Sequence, residues 1–331
     1  MKILVTGATG FIGSFIVEEA LRRGFDTWAA VRRSSSRAYL QDERINFIEL
    51  NFDDERQLTE QLRTHQFDYI VHAAGVTKCR NHEDFYRVNT QGTKHLVEVI
   101  LSLEMPVKKF VYLSSLSVFG PVREGCPHKD ILLSDDPQPN THYAKSKILA
   151  ESYLHEKRDV LNYVILRPTG VYGPRERDYF LMAKSIRKHV DFVAGFEHQD
   201  ITFVYVTDVV QAVFLSLNRK ESGCSYFLTD GEVYNSREFS DLIRKELGNP
   251  WWIRITAPIC LLKVVCTLGD WCARFTGNTS ALNKDKFFIL SQRNWRCDVT
   301  TTMKELGYEP KVKLREGVKL TIKWYKTNGW L

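Results

Sequence analysis

The chain has 331 residues, 44% hydrophobic and 26% charged, the composition of a folded globular protein with length for one large domain or two intimate lobes. Its 46 basic and 40 acidic side chains leave a formal charge of +6. No lysine block or basic–aromatic interleaving accompanies that charge, so it is assigned to solvated faces and a nucleic-acid surface is excluded. Cys79, Cys126, Cys224, Cys260, Cys266, Cys272 and Cys297 form no Cys-x-x-Cys pair and read as reduced thiols, with neither a disulfide frame nor a metal site expected. No apolar run has transmembrane length, and Met1-Lys2-Ile3 enters the first strand directly, so a cytoplasmic protein is expected.

The first half alternates strands and helices. Strands are predicted at Lys2–Thr6, Thr27–Val31, Asn46–Leu50, Tyr69–Ala73, Phe110–Ser114 and Tyr163–Arg167. Helices are predicted at Phe11–Arg23, Asp54–Thr64, Phe85–Ser102 and Tyr143–Glu156. Repeated strand–helix–strand units imply an α/β fold, a doubly wound parallel sheet of Rossmann type flanked by helices. Between the first strand and helix stands Gly7-Ala8-Thr9-Gly10-Phe11-Ile12-Gly13. Glycines there permit a tight turn and close approach of a pyrophosphate, and the helix N-terminus supplies free N–H groups and a positive dipole end. Ligands of such sheets bind beyond the carboxyl ends of the strands. Past Gly173 the pattern changes to helices with short strands, including Thr202–Val206 and Ser225–Leu228. The expected division is a dinucleotide-binding domain over 1–173 and a smaller, mostly helical substrate lobe over 174–331, with some elements returning to the first domain.

Tyr143 and Lys147 are four residues apart and share one helix face. A phenol titrates near 10, and a neighbouring ammonium favours the phenolate, so such a pair can pass a proton to or from a substrate oxygen. The spacing alone is common, and its weight comes from the glycine turn upstream.

Further motifs follow in order: His72-Ala73-Ala74-Gly75, Val88-Asn89-Thr90-Gln91-Gly92-Thr93, Tyr112-Leu113-Ser114-Ser115-Leu116-Ser117-Val118-Phe119-Gly120, Arg167-Pro168-Thr169-Gly170-Val171-Tyr172-Gly173-Pro174 and Tyr205-Val206-Thr207-Asp208. With the glycine turn and the Tyr–Lys pair, they make nearly the whole chain resemble the extended short-chain dehydrogenase/reductases. That family includes NAD-dependent epimerase/dehydratases, dihydroflavonol-reductase-like enzymes and 3β-hydroxysteroid dehydrogenases. The resemblance implies catalytic roles for Ser115, Tyr143 and Lys147, with Asn89 helping to organise the site. Ser115 would hydrogen-bond the substrate oxygen, Ser114 and Ser117 being competing candidates. Tyr143 would be general acid in reduction and general base in oxidation. Lys147 would hold the nicotinamide ribose and lower the Tyr143 pKa. It implies a dinucleotide held by Gly7, Thr9, Gly10, Phe11, Ile12, Gly13, Ala73, Ala74, Gly75, Tyr143, Lys147, Pro168, Gly170 and Val171, with Arg32, Asn51 and Phe52 at the adenosine end.

No carboxylate stands where the second strand ends; Arg32-Arg33-Ser34 follow Val31. An acidic residue there would favour NAD, and an arginine accommodates a 2′-phosphate, so NADP(H) is the expected preference with NAD(H) as the alternative. Two departures concern the substrate. Nucleotide-sugar members usually carry Asn where this chain has Gly170, and an Arg where it has Ile201. Losing both removes groups suited to phosphate, although Arg175, Arg177 and Arg187 are near in sequence. The segment 251–275 is strongly apolar, from Trp251 and Trp252 through Trp271 and Phe275. It reads as a core helix, a lipophilic pocket wall or an interfacial helix contacting lipid, with Cys260, Cys266 and Cys272 as small buried groups.

The expected activity is hydride transfer between nicotinamide and a ketone or secondary alcohol on a bulky apolar small molecule. A nucleotide-sugar epimerase or dehydratase is the alternative, and a non-catalytic nucleotide-binding regulator the third. A homodimer is expected by analogy only.

Overall fold

The computed structural model describes residues 1–79, 81–276 and 284–331, with side chains omitted over 270–276. The expectations for the side chains of Trp271, Cys272 and Phe275 therefore lie outside what is described. Seven strands build the main sheet: β1 (Lys2–Thr6), β2 (Asp26–Val31), β3 (Asn46–Glu49), β4 (Tyr69–His72), β5 (Lys109–Leu113), β6 (Tyr163–Pro168) and β11 (Cys224–Leu228). All neighbours are parallel, in the order β11-β6-β5-β4-β1-β2-β3. The order reverses at β1, which opens a crevice between the carboxyl ends of β1 and β4. Every residue of β4, β5 and β6 is buried, as continuous apolar runs in a sheet covered on both faces should be.

Helices α1 (Phe11–Arg22) and α7 (Val206–Leu217) cover one face, where Ile16 and Val17 join Val209, Val213 and Phe214 in one core. Helices α2 (Glu55–Arg63), α4 (Gly92–Ser102) and α5 (His142–Glu156) cover the other through Leu58, Leu62, Leu96, Ile100, Ala150 and Leu154. The single helix expected over Phe85–Ser102 is interrupted. A short α3 (His82–Phe85) and a π-helical turn, Tyr86–Gln91, precede α4. Such turns recur at functional sites, and this one carries Asn89.

Helix α11 (Thr300–Leu306) packs back on the main sheet, where Leu306 joins its core, and the outer group of elements has β7 (Gly170–Tyr172), α6 (Asp178–Arg187), β8 (Val190–Ala194), β9 (Asp200–Ile201), β10 (Phe203–Tyr205), β12 (Tyr234–Asn235), α8 (Glu238–Glu246), β13 (Ile253–Ala257), α9 (Ile259–Thr276), α10 (Lys284–Ser291) and α12 (Leu314–Thr327). Its strands pair as β7 with β10, β9 with β12 and β8 with β13. An aromatic core of Tyr172, Phe203, Tyr205, Phe239 and Tyr325 holds it. The segment 251–275 is thus a strand and a helix joined at Pro258, not one apolar element. Cys266 is buried as expected, but Cys260 is exposed because it lies on the outer side of α9. Among the described residues no helix is long and apolar enough to cross a membrane.

Candidate active site

The glycine turn packs backbone on backbone. Gly7 has φ +66°, and a Cβ on it would lie 2.5 Å from the Ala73 carbonyl oxygen. A Cβ on Gly13 would lie 2.1 Å from the Gly7 oxygen. These two positions therefore require glycine for the turn to close against the end of β4. Gly10 is exposed and donates its N–H to Gly7 O at 2.9 Å. No side chain caps α1, so its first-turn N–H groups at Phe11, Ile12 and Gly13 face the crevice rim without an intrahelical acceptor. Ala73, Ala74 and the exposed Gly75 continue the floor. A shallow, backbone-lined cradle at a helix N-terminus fits the pyrophosphate of a dinucleotide.

Asn89 closes the other side of the floor. Its Oδ1 accepts from Val76 N–H at 2.8 Å, and its Nδ2 donates to Val76 O at 3.1 Å and Ser146 Oγ at 3.0 Å. The buried amide is fully used, tying the strand that leaves β4 to α5. A Cβ at Gly75 would lie 3.1 Å from Asn89 Oδ1 and 3.2 Å from Lys147 Nζ, so three elements meet at one point.

Tyr143 and Lys147 project from α5 beneath the end of β5. Thr141 caps the helix by accepting from Ala144 N–H at 3.1 Å. Burial pushes the Tyr143 phenol up to about 12, and a hydrogen bond with Ser115 opposes the rise. Tyr143 is therefore a protonated acid at neutral pH in the free protein. Burial pulls the Lys147 ammonium down to about 8, opposed by the Glu151 carboxylate. Sequence reasoning assigned the lowering of the Tyr143 pKa to Lys147. In the free protein the pKa is raised instead, with Ser115 opposing the rise, while Lys147 Nζ donates to the Leu113 carbonyl at 2.8 Å and lies 4.7 Å above the Tyr112 ring. Ser115 Oγ accepts from Ser117 N–H at 3.2 Å and lies 2.9 Å from Ser117 Oγ. Of the competing serines, Ser114 is buried without a partner for its hydroxyl, and Ser117 contacts Ser115 itself.

Several supporting residues were missed. Glu151, a further turn along the Tyr143–Lys147 face, forms a buried two-pronged pair with Arg167, with Arg167 Nη2 donating at 2.6 Å and Nε at 3.1 Å. The spacing 143, 147, 151 could have signalled it. His72 bridges Thr6 Oγ1 at 2.8 Å and Thr93 Oγ1 at 3.0 Å, locking β1 and β4 to α4. Burial, with a smaller push from Lys147, lowers its pKa to about 3, so it is a neutral bridge.

At the adenosine end, Arg32 is exposed just past β2, with no carboxylate at that strand end. Asp26 is at the opposite end of β2, bonded to Trp28 and Asn46. Asn51 is exposed and caps Asp53 N–H at 3.1 Å, while Phe52 lies edge-on to His72. On the substrate side, Pro168 is buried at the end of β6, and Gly170 and Val171 pair with β10. Arg175 is turned away onto α1, bonded to Ser14 and Glu18 and stacked on Phe15 and Tyr39. Arg187 is exposed at the end of α6. Among the described residues no cluster of His, Cys, Asp or Glu is arranged to hold a metal.

Residues 3–235 match the model of the NAD dependent epimerase/dehydratase family, well over half the chain. The chain belongs to that family. Its members are enzymes that work through a nicotinamide dinucleotide. Among similar proteins are the decarboxylating sterol-4-alpha-carboxylate 3-dehydrogenase of Candida albicans, 25% identical over 98% of this chain and 97% of its own, and the UDP-glucose 4-epimerase of Vibrio cholerae, 26% identical over 97% and 94%. The UDP-glucose 4-epimerase of Thermotoga maritima, solved with UDP-glucose, superimposes with a TM-score of 0.81 at 24% identity, covering 99% of both chains. That last likeness is one of fold.

Proposed function

We propose that this family member is an NADP(H)-preferring oxidoreductase acting on a ketone or secondary alcohol of a bulky, apolar molecule. A bound nicotinamide supplies or takes the hydride. Tyr143 O–H gives its proton to the substrate oxygen in reduction and recovers it in oxidation. Ser115 Oγ holds the same oxygen, and Lys147 keeps positive charge beneath the pair. The main support is Tyr143 and Lys147 on one face of α5, with Lys147 Nζ held at the carboxyl end of β5 beside Gly75 and Ser115 opening the turn that follows the same strand.

The substrate class is supported by Gly170. A Cβ there would lie 2.9 Å from Tyr179 Oη and 3.1 Å from the Phe203 ring. No amide fits at that point unless the rings move, and Ile201 packs into the same aromatic core. With Arg175 engaged on α1, the residues around Gly170 offer aromatic surface. The sterol-acting relative favours the same class, and the UDP-glucose 4-epimerase relatives keep sugar-nucleotide epimerisation as the second reading.

The test is a screen of NADPH oxidation over bulky ketones beside nucleotide sugars. Net consumption with an apolar ketone is expected; epimerisation without net consumption would sink the assignment. Tyr143→Phe should cut turnover by about 10²–10⁴-fold with dinucleotide affinity within about twofold. Arg32→Ser should weaken NADPH by about tenfold and leave NADH unchanged. NADH binding at least as tightly as NADPH to the unmodified protein would overturn the cofactor preference.

A further inference from the structure

The β8–β13 pair is inside out. Parallel register sets Ile253 beside Val190, Ile255 beside Phe192 and Ala257 beside Ala194, so one face is wholly apolar. That face is outward: Phe192 is 67% and Ile253 60% exposed. The opposite face carries the charges. Asp191, only 2% exposed, accepts from Arg254 Nε at 2.6 Å and from Ser240 of α8 at 3.3 Å. A sheet with one solvated face ordinarily turns its polar side to water. Burial of the charged side leaves the apolar side for another phase.

Further exposed apolar side chains flank the strands in sequence. Trp251, 65% exposed, stacks flat on His189 at the start of β8. On α9, Leu261, Val264, Val265 and Leu268 form an exposed stripe at helical spacing, with Leu262 and Cys266 buried behind it. Exposed apolar side chains grouped in this way mark an interaction surface. Among the described residues, the unpaired charges here are cationic: Arg187 and Lys188 lead into β8 and Lys263 stands on α9, all exposed. Asp191 is turned inward, and the exposed Glu197 is paired with Arg293 at 2.8 Å.

We propose that this face docks on an anionic lipid surface, with Trp251 and Phe192 at the level of the headgroups and the strand pair and α9 lying in the interface. Aromatic and aliphatic side chains beside lysine and arginine match the boundary between acyl chains and anionic headgroups. A second copy placed on the same face by a two-fold axis would oppose like cationic rims, which disfavours a dimer here. The readouts for this face use vesicle partitioning and not turnover, so lipid binding and the substrate assignment are tested independently.

The experiment is co-sedimentation of the full chain with vesicles of phosphatidylcholine alone or equimolar phosphatidylcholine and phosphatidylglycerol. The protein should pellet with the anionic vesicles. A Phe192→Asp, Ile255→Asp variant should lose about tenfold or more in partitioning while keeping its melting temperature and dinucleotide binding. Arg187→Glu with Lys188→Glu should lose about tenfold on anionic vesicles and little on phosphatidylcholine. In the unmodified protein, brominated acyl chains should quench a fluorescence component that Trp251→Phe lacks, a readout independent of the charged variants. Absence of the protein from the anionic pellet would overturn the proposal. So would an undiminished pellet for the Asp variant, or a dimer in sedimentation velocity that Phe192→Asp dissolves.

Discussion

The two largest parallel pairings in this chain obey opposite rules. In the seven-stranded sheet, β4, β5 and β6 bury every residue, and the polar groups at their ends are paired in networks. In the β8–β13 pair the charged face is buried and the apolar face is outward. The first arrangement takes polar groups out of water and pairs most of them, the hydroxyls of Tyr112 and Ser114 excepted. The second spends its polar interactions on anchoring itself to α8, leaving its apolar surface to an external phase. Buried polarity thus ties strand ends to helices in one region and orients a surface in the other.

The comparison is tested hardest at Glu151. Glu151→Gln would leave the Arg167 guanidinium buried without its carboxylate, at a cost of about 3–5 kcal/mol in denaturant unfolding. Replacing both by methionine should restore much of the loss, since a packed apolar pair avoids the desolvation of two ions. If Glu151→Gln alone were neutral, the pair would be solvated and the site less enclosed than its geometry indicates.

The next effect is a pH dependence. The folded pKa of Lys147, about 8, lies below its ordinary value of 10.5 because burial disfavours the charge. Between these values the unfolded chain binds more protons than the folded one, so stability rises with pH across about 8 to 10.5. Below pH 8 the penalty is complete, at about 3 kcal/mol. Lys147→Met should remove that slope, and the stability difference between the two proteins should shrink as pH rises through the window. A slope of opposite sign would mean that Glu151 outweighs burial at this site.

Much of the first region was legible in the sequence because its signals are local. Ile3-Leu4-Val5 before a glycine turn, and Tyr143 one turn from Lys147, carry their structural context with them. The Asn89 clamp was not legible, since its partners lie 13 and 57 residues away. Phe85–Ser102 has an uninterrupted helical pattern, and only the packed site shows why the helix widens at Asn89. The outer sheet was hidden for a related reason. Val190–Ala194 and Ile253–Ala257 both alternate, but alternation sets which side chains share a face, not which face meets water. That choice is made by Asp191 meeting Arg254, 63 residues apart.

The smallest effects separate the two sheets most cleanly. Ile165, at the centre of β6, has no exposure, so Ile165→Val removes a fully packed methyl and should cost about 0.5–1.5 kcal/mol. Phe192 has far more surface, but 67% of it already meets solvent. Phe192→Ser should therefore shift stability by no more than about 0.5 kcal/mol, despite deleting an aromatic ring. The order inverts what residue size alone would give. Matched denaturant titrations of the two variants measure it directly. A loss of 2 kcal/mol or more (roughly a buried ring) at Phe192 would mean that its face is covered by the protein itself. The apolar side would then be core, and the two sheets would follow one rule.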